Sequence, residues 1–359
     1  MRLLILGVLM LALTAPTWAG SEYFSAQVPV ASQSTADRKT ALVQAMANVL
    51  VKVSGSLDAP ATELGMKAQA NAGSYVQQFR YIQPTQSMRE QGITLLLKAD
   101  FDPGKVRQLL KESGQGVWPM NRPQALIWAI EDTPERGRQI ITDPEHPLVK
   151  SLVARANERG LPVLLPLWDL DDQILLSEEH LWAQDEEAIL AASARYDVNT
   201  VLSARYSQTS SQQWYATWQF HHAGERRSYD YNTFDASELG TVGLDPLVAF
   251  LAERYAVQSA TDENEHLQVM TLSGVSDYKD YERALDYLAK QPLIQQVALV
   301  AVRDNQLVLH ILLSASWAQL NDALALDRKI RLLNPPEDLQ AEAMLGAPGR
   351  PAQFQWLGR

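Results

Sequence analysis

The chain has 359 residues, a formal net charge of −11 and no cysteine. Such a length calls for two or three packed units rather than one core, and the acidic balance argues against a nucleic-acid binder or a partner of an anionic membrane surface. Without cysteine there can be neither disulfides nor a lipoprotein-type acylated thiol.

The N-terminus reads "MRLLILGVLMLALTAPTWAGS". Arg2 is a short positive region, Leu3 to Leu13 is an apolar run too short for a comfortable membrane span, and Thr17 and Ala19 are small residues around Trp18. A signal peptide over residues 1–19, cut after Ala19, is the expectation. No later stretch offers 18 consecutive apolar residues, so no membrane insertion is expected of the mature chain. An exported, acidic, cysteine-free chain suits the periplasm.

A first α+β module is expected over residues 21–118. "YFSAQVPV" (23–30) is strand-like. In the following stretch Leu42, Met46, Val49, Leu50 and Val53 recur at helical spacing, with Ser34 or Thr35 to cap the start and Gly55 to end it. Residues 60–79 read as a second helix ending in "YVQQF", 92–101 as a strand, and 102–114 as a short helix with Pro103 in its first turn.

A central α/β module is expected over 119–259. Its elements are a strand at 122–132, a strand-like segment in "RGRQIITDPEHP", a helix at 146–160, the strand "LPVLLPLW" and a helix at 185–196. Three strands follow, at 199–207, 213–222 and 226–234, in an antiparallel Trp-rich meander. In the second of them Trp214, Ala216, Trp218 and Phe220 share one face, while Tyr215, Thr217, Gln219 and His221 share the other. A helix at 243–257 closes the module.

Residues 264–333 alternate as βαββαβ, the split ferredoxin-like pattern. Ser276 is the expected cap of its first helix, Ser316 of its second, and Asp304 and Asn305 form a tight turn. The tail, 334–359, is expected to be flexible, with "FQWLG" docking back. The fold class is therefore α/β and α+β, multi-module, with mixed sheets packed with helices.

The chemistry is sparse. "LPVLLPLWDLDD" (161–172) ends an apolar run on Asp169, Asp171 and Asp172. Asp169 and Asp171 have the D-x-D spacing of haloacid-dehalogenase-type phosphate chemistry, but Gln173 stands where Thr or Val belongs, and no turn glycine or further oxygen ligand suggests a calcium loop. The expected role is a solvated strand end. "SDYK" (276–279) matches S-x-x-K without its companion motifs. His221 and His222 are strand neighbours on opposite faces and cannot chelate one metal. "EEH" (178–180) reads as a solvated turn, and zinc, nucleotide-loop and nucleophile-elbow motifs are absent. The βαββαβ unit lacks the stacking aromatics and basic charge of an RNA-recognition strand. No catalytic residue, cofactor or metal site is assigned.

"ALVQAMANVLVKVSG", "GLPVLLPLWDLDD", "YDVNTVLSARY" and "LSGVSDYKDYERALDYLAKQPLIQQVALVAV" together resemble the exported bacterial domain-of-unknown-function family 2066. That resemblance spans most of the mature chain and implies export but no activity. "PVLLPLWD" and "ARYDVNTVLSARYS" are more loosely similar to docking modules of envelope proteins, such as the amino-terminal domain of the Tol translocation protein and the curli secretion lipoprotein. The expectation is a non-enzymatic periplasmic adaptor in cell-envelope assembly or maintenance. Its partner would be an envelope protein or a peptidoglycan-associated one, docking on sheet edges or on the polar face around Tyr215 and His221. The alternative is an envelope-polymer hydrolase or ligand-binding enzyme using Asp169 and Asp171.

Overall fold

The computed structural model describes residues 21–119, 121–256, 266–291, 293–303, 306–313, 317–327, 329–334 and 352–358. The leader with its cleavage at Ala19, the Asp304–Asn305 turn and the Ser316 cap lie outside them. Three sheets and eleven helices, mixed α/β throughout, make up the described residues, and none of the sheets closes into a barrel. No described helix is long and apolar enough to cross a membrane.

The first unit is an antiparallel sheet of β1 (Ser25–Pro29), β2 (Val76–Ile82) and β3 (Leu96–Phe101) in the order β1-β3-β2. Helices α1 (Thr35–Ser54), α2 (Glu63–Ala70), α3 (Gln86–Glu90) and α4 (Pro103–Glu112) accompany it. The apolar stripe of α1 is buried as expected. Ser34 accepts from the Asp37 N–H at its start, and Gly55 ends it at φ 74°, a conformation that strains any residue with a Cβ. The expected second helix over 60–79 is half a helix and half a strand. α2 stops at Ala70, and "VQQFRYI" is β2, held by its pairing with β3 along Gln78↔Asp100 and Arg80↔Lys98. Its mid-section is exposed on both faces, so no alternation marked it.

The central unit is a six-stranded mixed sheet. Strands β4 (Ala125–Thr133), β5 (Gly137–Ile140), β6 (Val163–Leu164), β7 (Thr200–Gln208), β8 (Trp214–His222) and β9 (Glu225–Thr233) run in the order β5-β4-β7-β8-β9, with β6 also on β4. β4 and β7 are parallel, and β7, β8 and β9 form the expected antiparallel meander. "LPVLLPLW" gives only a two-residue strand, because Pro162 and Pro166 bracket it and neither can donate to a ladder. Helices α5 (Pro147–Arg159), α6 (Leu170–Leu175), α7 (Glu178–Ala183), α8 (Glu186–Ser193) and α9 (Glu238–Tyr255) complete the unit. α5 and α9 cover one face over Trp218, Phe220 and Leu202. The short helices cover the other, over Trp128, Leu126 and Ile130. α9 starts five residues before the expected Gly243, and Pro246 lies inside it. Burial of Leu239 and Leu244 at zero exposure holds the extra turn.

The junction between the first two units is polar and buried. Arg122 lies over the rings of Tyr23 and Trp118, at 3.9 and 4.4 Å from their centroids. Its guanidinium donates to three carbonyls: Lys52 at 2.8 Å, Gly160 at 2.6 Å and Pro119 at 3.1 Å. Lys52 is in the last turn of α1 and Gly160 caps α5, so two negative helix ends converge on one cation. Gly160, at φ 71°, has no room for a side chain: a Cβ there would sit 2.2 Å from Arg122 Nη1. Beside it, Arg159 donates to the Gly55 carbonyl at 2.8 Å and to Asp245 on α9 at 2.9 Å.

The third unit contains β10 (His266–Ser273), α10 (Tyr278–Ala289), β11 (Ile294–Arg303), β12 (Gln306–Leu313), α11 (Trp317–Asp327) and β13 (Ile330–Asn334), the expected βαββαβ succession. β14 (Ala352–Trp356) then enters the sheet, giving the order β11-β12-β10-β14-β13. The tail was expected to be flexible, but Ala352–Trp356, which takes in the first three residues of "FQWLG", is an inner strand of this sheet. It is parallel to β10 and antiparallel to β13, and it separates two strands that a plain ferredoxin-like sheet would pair directly. Ala352, Phe354 and Trp356 point into the core. The cap of α10 is Asp277, which accepts from Asp280 N–H, rather than Ser276, whose hydroxyl instead donates to the Asp280 carboxylate at 2.6 Å.

Candidate functional site

The three aspartates at the end of β6 do come together, but around an arginine. After Pro166 the chain turns through Trp168 at φ 53°, and Asp169 caps α6, accepting from the Asp172 N–H at 3.3 Å. Arg195, just past α8, grips Asp169 with both terminal nitrogens, the second at 2.8 Å to Oδ2. The same guanidinium lies 3.3 Å from Asp172 and 3.8 Å from Asp171. Its hydrogen bond holds the Asp169 carboxyl at about 2, well below the usual carboxylate range, and raises Arg195 in return.

Asp172 is fully buried, not solvated. Its Oδ2 accepts from Tyr196 Oη at 2.5 Å and from the Trp168 N–H at 2.9 Å, and Tyr196 Oη accepts in turn from the Leu167 N–H at 2.9 Å. Gln173 donates to the Trp168 carbonyl at 2.9 Å. The rings of Trp168 and Tyr196 both stand edge-on to Trp128, each at 6.1 Å. The expected solvated strand end is therefore a rigid knot, with Asp171 its most exposed carboxylate, 75% exposed. Removing the buried member by Asp172→Ala orphans the Tyr196 hydroxyl and the Trp168 N–H. A loss of about 2 kcal/mol in urea denaturation is expected.

The knot holds up an apolar ledge. Leu167, Leu170 and Ile174 are 73%, 70% and 70% exposed, and Leu175 adjoins them. Leu170 and Ile174 lie one turn apart on α6. Scattered exposed leucines need no explanation, but four large apolar side chains within nine residues form a patch of the kind that marks an interaction surface.

The other expected docking face is less open. Tyr215 is exposed, and Thr217 donates to Asp230 at 2.7 Å. His221, however, is buried beneath α8, with Nδ1 3.4 Å from Glu186 and Nε2 2.8 Å from Gln219 Nε2. Burial lowers its pKa. His222 points to the opposite face, as strand geometry requires, between Thr200 and Tyr255 at 2.7 Å each. "EEH" (178–180) opens α7 behind the Ser177 cap.

Sequence reasoning missed Arg195 and Tyr196, whose partners are 23 to 29 residues away. It also missed Glu131, fully buried on β4 and paired with Arg136 at 2.9 Å, Gln139 at 2.7 Å and His146 at 3.4 Å. A lone glutamate in an otherwise apolar strand was the available signal. Among the described residues no group of three or more His, Asp or Glu is arranged to hold a metal ion.

Comparison with known proteins adds a family of the same opaque kind. Residues 19–119 match a family described as Domain of unknown function (DUF8605), which covers the first unit. No curated protein matches the chain. A solved structure titled "Crystal structure of uncharacterized protein" is similar at 10% identity, covering 37% of this chain and 91% of its own, with a TM-score of 0.19.

Proposed function

We propose that this protein is a non-enzymatic binding protein, a periplasmic adaptor in cell-envelope assembly or maintenance that docks a protein partner on the α6 ledge. The observation that carries this reading is the Arg195 clamp. Asp169, the first carboxylate a hydrolase would need, is engaged with Arg195 in holding the turn, while the apolar side chains the turn presents face outward. The leader-like N-terminus and the absence of cysteine support the compartment. The resemblance of the later modules to family 2066 belongs to the same proposal.

The hydrolase alternative is separable by one substitution. Asp171 is exposed and lies outside the buried hydrogen bonds, so Asp171→Glu leaves the fold and the local negative charge intact while moving the carboxylate away from any reacting position. An adaptor carrying it complements a deletion strain fully; an enzyme using the Asp169–Asp171 pair loses at least a hundredfold in activity and fails to complement. Intact mass of the natural product tests the compartment: a mature chain beginning at Gly20 is expected, and a retained Met1 on cytosolic protein refutes it.

A further inference from the structure

We infer that the α6 ledge receives an amphipathic helix of a partner protein whose apolar stripe is flanked by lysines and arginines. This deepens the adaptor reading and rests on it.

Three observations select that occupant. First, the ledge is a helix surface. α6 is helical and has no extended strand edge to pair with, so a partner gains nothing by strand addition and must pack side chain against side chain. Leu170 and Ile174 stand one turn apart on α6, and Leu167 is exposed in the turn that precedes it; this apolar rib can enter the groove of another helix.

Second, the surroundings are acidic. From Leu161 to Ala194 the sequence holds eight carboxylates and not one lysine or arginine. Arg195 neutralises Asp169 and touches Asp172, while Asp171 on α6 and Glu178 and Glu179 in the first turn of α7 are exposed, Glu179 within the influence of the Arg138 charge. Two copies of this face would bring like charges together, and an anionic bilayer would be repelled. A cationic partner is attracted.

Third, the ledge is pre-organised. Leu167 and Trp168 are fixed through their backbone N–H groups to Tyr196 and Asp172, so little ordering entropy is lost on docking.

The test uses the full purified chain and a synthetic eighteen-residue leucine–lysine amphipathic helix, read by fluorescence anisotropy. Controls are the same peptide scrambled and a leucine–glutamine version. The key variant is Leu170→Asp with Ile174→Asp, both at exposed positions, its fold checked by circular dichroism. Expected is micromolar binding of the leucine–lysine helix, weakened at least tenfold by the double variant, by scrambling and by raising salt from about 50 to about 500 mM. Equal binding by chain and variant, or no binding, overturns the inference. So does variant-sensitive attachment to vesicles of phosphatidylglycerol and phosphatidylcholine, which makes the occupant a lipid surface, or variant-sensitive dimerisation in sedimentation velocity. If the peptide fails yet the well-folded double variant does not complement a deletion strain, the partner chemistry is wrong and the adaptor reading stands. If the variant complements and the charge-preserving Asp171→Glu does not, the adaptor reading falls.

Discussion

Arg122→Met is expected to cost about 4 kcal/mol and to separate the unfolding of the first unit from that of the second. Arg122 is almost wholly enclosed, and burial pulls its pKa down to about 9, so it remains charged near neutral pH. No carboxylate neutralises it in the hydrogen bonds described; carbonyls at two helix C-termini and two aromatic faces do the work. Methionine fills much of the volume but donates nothing. The carbonyls of Lys52, Gly160 and Pro119 then face an apolar side chain, each a desolvated acceptor without a donor. Because Lys52 belongs to one unit and Gly160 to the other, the loss falls on the joint. Urea unfolding followed at two probes, a fluorophore near β3 and tryptophan emission from the central sheet, should give coincident transitions for the native chain and two for the variant. Coincident, unshifted transitions in the variant contradict this account.

The second large effect is a dependence on acidity. His222 is buried between Thr200 and Tyr255, with the Phe250 ring edge-on at 6.0 Å. Burial, helped by the Arg254 charge and opposed by Glu225, lowers its pKa to about 4. An unfolded histidine titrates near 6.5, so the native state holds the neutral ring where the unfolded chain has already taken a proton. The stabilisation is complete above about pH 6.5 and is lost as pH falls through the window down to about 4, with a full value of about 3 kcal/mol. His222→Gln removes this titration and should make the chain's stability fall less steeply between pH 6.5 and 4.5, with His221 supplying the slope that remains. Asp169 loses its advantage only at lower pH, approaching its own depressed value near 2, so the difference between chain and variant isolates the histidine. Parallel pH profiles for the two proteins contradict this assignment.

Much of the architecture was readable where short-range rules apply. Ser34 and Gly55 bracket α1, and alternation along Trp214–Phe220 assigned the buried face of β8. What escaped was set at a distance. "VQQFRYI" is a strand because β3 lies beside it, not because its own residues alternate. The helix at 238–242, ahead of the expected start at Gly243, is held because Leu239 is buried in the core that α5 and α9 share. At the candidate site the aspartates were found, but their role was misjudged. Arg195, some two dozen residues onward, turns a cluster of acids that resembles a cation site into a closed salt bridge.

The placement of β14 bears on how the chain is made. It lies between β10 and β13, and the Ser273 hydroxyl reaches the Phe354 carbonyl across 81 residues of sequence. A ribosome delivers β10, both helices and β13 before the strand that joins β10 to β13 exists. Until Trp356 emerges, one edge of β10 is an open template and β13 has no strand neighbour among the described residues. Such a high-order contact delays closure, so the third unit sets only once the last few residues of its sequence are available to fill the gap.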